Sequence, residues 1–346
     1  MKKIKRKPKK LKISACYIVK NSAEDLKISL QSLIHAVDEI IVVDTGSTDK
    51  TVEVAKSFGA KIFFREWDDD FSAPRNLAIS HATGDWIIFL DSDEFFTNET
   101  KKNIRPAVEQ LENSQKQGLL IHLVNIDVIE KKIIDTNFVM RIFKNQSGLH
   151  YVGKIHEELR IGENILSEIT FAPPNILTIF HTGYSANLSK SKAERNLKIL
   201  LEELAETEEP QRIYGYIAEC YSGLDDFENA EKFARLDIES GKTQKLFSTG
   251  SYRILMNILA KDFSRSAERE KIAALAVKNF PALPEFTAEL AECFAQKKDF
   301  QKAVETMKYA IQKFKNYKEL EPTQFNEDMA KFAESRIKLW TEKFLR

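Results

Sequence analysis

GDWIIFLDSDEFF, residues 84–96, runs a set of apolar side chains, Trp86 to Leu90, straight into Asp91-Ser92-Asp93-Glu94, four polar residues of which three are acidic. A short apolar run bounded by turn residues reads as a strand buried on both faces, the form strands take in parallel sheets. Such a strand carries its acids to the edge of the sheet. The residues upstream repeat the pattern. ISACYIV (13–19) is a first buried strand, EIIVVDTGS (39–47) a second that also ends in an acid, Asp44, and AKIFFREW (60–67) a third. Between them, AEDLKISLQSLIHAV (23–37), TDKTVEVAKSFG (48–59) and SAPRNLAISHAT (72–83) place apolar residues at helical spacing, with Pro74 suited to a first turn. Strand alternating with helix predicts right-handed crossovers and an α/β domain with a mostly parallel central sheet over residues 11–187.

From residue 188 the strand-like runs stop and amphipathic helices take over. IYGYIAECYSGLDDFENAEKFARLDI (213–238) and EFTAELAECFAQKKDFQKAVETMKYAI (285–311) resemble each other. Aligned on Ala230 and Ala303, they share Ala218 with Ala291, Asp226 with Asp299 and Phe227 with Phe300. Small residues let paired helices touch and aromatics fill the groove between them, which is the tetratricopeptide pattern. About three repeats are expected over 188–346, an all-α tetratricopeptide-like domain closed by AKFAESRIKLWTEKFL (330–345).

Composition bounds the partners. The 346 residues are 43% hydrophobic and 30% charged, with a formal net charge of +0, so no nucleic-acid partner is expected. The local basic excess, KKIKRKPKKLK (2–12), places a solvated flexible tail at residues 1–10. No apolar run reaches the roughly 18 residues of a membrane span, and no signal-peptide core follows the tail. The expected location is therefore cytoplasmic. Cys16, Cys220 and Cys293 lie far apart, without zinc spacing, and are read as buried small hydrophobes in a reducing compartment.

In parallel sheets, ligands bind outside the carboxyl ends of the strands, where Asp44, Asp91 and Asp93 fall. Asp91 and Asp93, flanking one small residue, can turn both carboxylates toward one point, and a half-buried pair of like charges calls for a cation. Magnesium suits such a site, because it takes one or two carboxylates and fills its other positions with phosphate and water. The chain has neither GxxxxGK[ST] nor GxGxxG, which argues against ATPase and dinucleotide chemistry.

The ordered motifs ISACYIVKN, VDEIIVVDTGSTDKT, WDDDFSAPRNLAI and ATGDWIIFLDSDE resemble the family 2 glycosyltransferases of the GT-A fold, over roughly residues 11–185. The likeness is greatest to bacterial members with C-terminal tetratricopeptide helices. These include the peptide S-glycosyltransferases of sublancin-type bacteriocins, and bacterial β-glucosyltransferases share much of the catalytic half. The resemblance implies a metal-dependent inverting transfer from a UDP-sugar. By it, Tyr17, Val19, Asn21 and Asp44 hold base and ribose, Arg75 and Asn76 lie by the diphosphate and donor sugar, and Asp91 and Ser92 sit near the ribose. Asp91, Asp93 and a late histidine, His181, hold Mg2+ or Mn2+. Ser22 departs from the family, whose members commonly carry an acid there.

The acceptor's proton needs a base, and a carboxylate is the usual one. Glu157, in GKIHEE (153–158), is favoured and Glu94 comes second; the alternative leaves Glu157 merely paired with Arg141 or Lys154. Trp67, Asp69 and Asp70 are expected to shape the donor site. The helical groove suits an extended peptide, so transfer of a hexose, glucose first, to a cysteine, serine or threonine side chain leads. A saccharide or lipid-linked glycan acceptor is the alternative, and the helices can instead mediate a homodimer. An inactive scaffold fits poorly with intact acids, and a nucleotidyltransferase with YIVKNSAED, which lacks a Gly-rich signature.

Overall fold

The computed structural model describes residues 11–183, 189–241, 249–319 and 323–344; the basic tail and the expected 187/188 boundary fall outside them. The chain divides into two compact units, Met1–Leu188 and Ser189–Arg346.

In the first unit, β1 (Ile13–Val19) pairs in parallel with β2 (Glu39–Asp44) on one side and β4 (Trp86–Phe89) on the other, and β2 continues to β3 (Lys61–Phe64). The largely apolar character of β1 and β4 follows from cover on both faces. One face packs against Leu26, Leu30 and Leu33 of α1 (Ala23–Leu33) and Ile104 and Val108 of α4 (Ile104–Glu112), with Ala55 of α2 (Thr51–Ser57). The other meets Ala78 and Ile79 of α3 (Ser72–His81) together with Leu149, Tyr151 and Leu159.

Beyond β4 the sheet order is β3-β2-β1-β4-β7-β6-β12-β5, with β11 (Ile169–Phe171) also on β6. Here β5 is Glu94–Phe96, β6 Gly118–Asp127, β7 Lys132–Lys144 and β12 Thr178–His181. The β4–β7, β6–β7 and β5–β12 pairings are antiparallel and the other five parallel, so the sheet is mostly parallel, as the strand–helix alternation predicts. The edge at β5 is covered by α1: Ser29 Oγ donates to the Glu94 carbonyl at 2.5 Å, and Ser32 Oγ accepts from the Phe96 amide at 3.2 Å. A separate antiparallel sheet of β8 (Leu149–Val152), β9 (Glu158–Ile161) and β10 (Asn164–Ile165) carries residues 153–157 in its first connection.

The second unit is helical throughout its described residues: α5 (Ser189–Glu206), α6 (Tyr214–Gly223), α7 (Phe227–Glu239), α8 (Thr249–Ala260), α9 (Ser266–Asn279), α10 (Pro284–Gln296), α11 (Phe300–Lys315) and α12 (Glu327–Phe344). The repeat signal has a local cause. Asp226 and Asp299 cap α7 and α11 by accepting the amides of Asn229 and Lys302, each after a residue with positive φ, Asp225 at 62° and Lys298 at 63°. Ahead of α9, Asp262 caps a short 3-10 turn, Phe263–Arg265, by accepting the Ser264 amide. Ala218, Ala230, Ala291 and Ala303 are fully buried, as close helix contact requires. No described helix is long and apolar enough to cross a membrane.

Candidate active site

The acids after β4 lie where that strand leaves the sheet, and two arginines hold them. Arg75, from the first turn of α3, donates through Nη2 to Asp91 Oδ1 and through Nε to Glu157 Oε1, both at 2.9 Å. Its guanidinium lies over the Phe89 ring at 4.8 Å and the Tyr151 ring at 5.6 Å, and the residue is 7% exposed. Arg141 comes from β7, where Leu119 pairs with Ile142 but Leu120 with Met140. Arg141 is thus the extra residue of a β-bulge, a feature that re-aims a side chain. Its Nη2 donates to Asp91 Oδ2 at 2.6 Å and Glu94 Oε1 at 2.5 Å, while Glu94 Oε2 accepts the Asp91 amide at 3.2 Å.

The charges follow from these contacts. Burial would raise the Asp91 pKa, but Arg141 and Arg75 hold its carboxyl well below the usual range. At Glu94, 1% exposed, burial outweighs Arg141 and raises the pKa, with Asp91 adding to the rise. Both arginines are held above their ordinary values by the carboxylates, against burial.

His181 ends β12 and pairs in register with Glu94 and Asn125. The Asn125 amide nitrogen donates to Asp135 Oδ1, which leaves its carbonyl oxygen to accept from His181 Nδ1 at 2.7 Å. Its Nε2 then faces Asp93 Oδ2, 3.2 Å away, as an acceptor when His181 is neutral and as a donor when it is protonated. In the neutral form, two acceptors this close call for a cation between them; in the protonated form the contact is an ion pair. Burial would lower the His181 pKa, but the Asp93 carboxylate raises it. Gly183 completes the place: a Cβ there would collide with Asp93 Oδ2 and lie 2.9 Å from His181 Nε2. The donor set of carboxylate and imidazole fits a divalent cation that takes its other ligands from phosphate and water. Among the described residues, no group of three His, Cys, Asp or Glu side chains is arranged to hold a metal.

Several expectations need correction. The Asp91 and Asp93 carboxylates take different partners: two guanidiniums hold Asp91, whereas Asp93 turns to His181. Glu157 pairs with Arg75 rather than with Arg141. Tyr17 and Val19 belong to the apolar core under α1, where the Tyr17 hydroxyl meets Ser29 Oγ at 3.0 Å, because both faces of β1 are covered. Asn21 has its carboxamide oxygen taken by the Thr48 amide at 2.7 Å, joining two loops. Asn76 clamps β8 to α3, exchanging both amide groups with the Tyr151 backbone at 2.7 and 2.9 Å. Ser92 sits at the turn closed by the Glu94 amide on the Asp91 carbonyl.

Asp44 is 2% exposed; its Oδ1 accepts the amides of Gly46 and Ser47, and its Oδ2 has no partner. Arg75 Nη1 and Ser22 Oγ are also buried without partners. Trp67 donates to Asp69 Oδ1 at 2.9 Å, Asp70 accepts the Ala73 amide, and this loop is tied to the β8–β9 connection by the Phe71 amide on the Lys154 carbonyl at 2.7 Å. Sequence reasoning did not find Arg141 or the Asn125–Asp135 pair as site residues. No local signal marks a bulge or a cross-strand pair.

The family model for glycosyl transferase family 2 matches residues 14–152, from β1 through β8. The match takes in less than half of the 346-residue chain, and it is to that segment that the likeness to family 2 glycosyltransferases applies. A TPR repeat-containing protein of Synechococcus elongatus is 29% identical over 67% of this chain and 58% of its own length. The prophage-derived glycosyltransferase SunS of Bacillus subtilis is 30% identical over 66% of this chain and 54% of its own. The chain therefore spans little more than half the length of these two relatives. The solved structure of S. aureus TarS 1–349 is 16% identical, with a TM-score of 0.40, over 92% of this chain and 97% of that one. The matched segment takes in Asp44, Arg75, Asp91, Asp93, Glu94 and Arg141, whereas Glu157 and His181 lie beyond it.

Proposed function

We propose that the family 2 domain transfers a hexose, glucose first among candidates, from a UDP-sugar to a cysteine, serine or threonine side chain of a peptide or protein, with inversion at the anomeric carbon. The observation that carries this reading is the approach of His181 Nε2 to Asp93 Oδ2, at 3.2 Å, at the carboxyl ends of the strands in a segment that matches family 2. Mg2+ or Mn2+ held by Asp93 and His181 would neutralise the charge that builds on a departing diphosphate.

The chain's own residues do the rest. Asp44 Oδ2, buried and unpaired, offers an acceptor to the nucleoside, and Arg75 Nη1 offers a donor to the diphosphate or the sugar. Glu157 is the favoured base: Arg75 orients it through one oxygen, while the other has no partner among the described residues. It takes the proton of the acceptor O–H or S–H. The electron pair so freed forms the new bond to the anomeric carbon from the face opposite the diphosphate. The carbon–oxygen bond to the diphosphate breaks, and its pair leaves with UDP. Glu94 suits this role less well, being buried with both oxygens engaged. The three free, buried cysteines suit work in a reducing compartment such as the cytoplasm.

The test is turnover of UDP-sugars with Mn2+ or Mg2+, followed by mass spectrometry of peptides incubated with the enzyme. Asp93→Ala is expected to lower kcat/KM by about 10²- to 10³-fold. Glu157→Gln is expected to cost about 10²- to 10⁴-fold in kcat while leaving UDP affinity intact. A protein that neither binds nor turns over any UDP-sugar sinks the proposal.

A further inference from the structure

Strand β7 pairs with β6 along its length but with β4 only from Ile142 to Lys144. The cause is that β4 ends at Phe89 and the chain turns away through Asp91. A second bulge lies at Ile134, because Asn125 pairs with Asp135 and Ile126 with Ile133. Between the bulges, Asp135–Met140 is regular strand whose second edge carries no neighbouring strand. Among the described residues, nothing hydrogen-bonds to the N–H and C=O groups on that edge.

Exposed edges are ordinarily blunted by charge, proline or a covering element. The β5 edge is so treated, by Ser29 and Ser32 of α1. The free stretch of β7, DTNFVM, has neither proline nor lysine, and its one acid accepts from Asn125. On a face of this same stretch, Asn137 Oδ1 is buried and has no partner among the described residues. The strand then runs directly into Arg141, whose guanidinium holds Asp91 and Glu94.

We infer that Asp135–Met140 is a docking strand on which the acceptor polypeptide adds, in extended form, as one more strand of the sheet. This rests on the reading of the enzyme as a peptide glycosyltransferase. Six residues at about 3.4 Å each repeat the same backbone group toward one edge about every 7 Å, a spacing matched by another polypeptide main chain and by no glycan. Main-chain pairing supplies affinity without demanding a particular sequence. Its register along β7 brings one acceptor residue to the end of the strand, beside the acids. Past the bulge at Ile134, the exposed side chains of Ile129, 84% exposed, and Ile133, 63%, extend the surface for apolar residues of the same peptide.

The test uses the full chain with Mn2+, a UDP-sugar and a pool of synthetic ten-residue peptides with a central cysteine or serine. Consecutive residues present their N–H groups alternately to β6 and to the free edge, so one of Thr136→Pro and Asn137→Pro deletes only a free-edge donor. That variant is the one that keeps the wild-type melting temperature. It is expected to keep acceptor-independent UDP-sugar hydrolysis and to raise the peptide KM at least tenfold. Hydrogen exchange at 135–140 is expected to slow when peptide is added. If both variants unfold, peptides with successive amides replaced by esters take their place, with losses expected at alternate positions.

A wild-type enzyme that hydrolyses no UDP-sugar defeats the functional reading itself. If peptides are modified but the folded variant keeps its peptide KM, or no ester weakens transfer, the docking strand alone is refuted. Transfer confined to saccharides overturns it too. So does protection of 135–140 that grows with protein concentration in the absence of peptide, which would make the edge a contact between two copies.

Discussion

Arg141 shows how one side chain can organise a site. Its guanidinium is the counterion of Glu94 and half the counterion of Asp91, and a bulge in β7 aims it there. Removing one partner of a buried ionic cluster leaves charge uncompensated, which typically costs about 3–5 kcal/mol. Arg141→Ala is therefore expected to lower stability by about that amount at pH 7, read from urea midpoints. Adding Glu94→Gln should recover part of the loss, since a carboxamide needs no counterion. An Arg141→Ala protein as stable as wild type would mean that the cluster is held by something else. That Asp91 and Asp93 need partners was legible, because acids at the end of a buried strand are costly without one. Their different partners were not, since Arg75 is 16 residues away in sequence from Asp91 and Arg141 is 50.

At the scale of the element, Glu39 of β2 joins the amino ends of β1 and β3 to the loop that enters β4. Its carboxylate accepts from Ser14 Oγ at 2.6 Å, from the Thr83 amide at 2.6 Å and from Lys61 Nζ at 2.7 Å. Burial would raise its pKa, yet these bonds, with the one from Lys61 foremost, lower it to about 2. A carboxylate with a depressed folded-state pKa stabilises the protein above its unfolded value of about 4.3 and loses that contribution as the pH falls toward 2. Glu39→Gln is expected to cost about 1–2 kcal/mol at pH 7, with the gap to wild type closing between about pH 4.3 and 2. Thermal melts across that range check it, and a gap independent of pH contradicts the assignment. These strands were readable one at a time, since apolar runs and turn residues are local. The small sheet that presents Glu157 was not, because GKIHEE (153–158) acts as a connection only through the pairing of Val152 with Glu158.

At the scale of the whole molecule, the three cysteines give a simple readout of integrity. All are free and buried. Burial raises the Cys16 thiol far above its ordinary range and pushes Cys220 and Cys293 up to about 11. Native protein is expected to react with a thiol reagent at pH 8 at less than about a tenth of the rate of denatured protein, since the thiolate is the nucleophile. Rapid reaction of even one thiol in native protein would contradict that burial.

Sequence alone determined the two classes of architecture, α/β and then all-helical, because hydrophobic periodicity and capping residues act within a few positions of one another. It also determined that acids gather where parallel strands end. Tertiary structure alone decided which acid meets an arginine and which meets His181, that Tyr17 and Val19 are buried in the core, that Asn76 clamps β8 to α3, and that Arg141 holds Asp91 and Glu94. The physical reason is that charge pairing and burial depend on distance in space, and a bulge, a cross-strand register or a free sheet edge exists only once distant segments have come together.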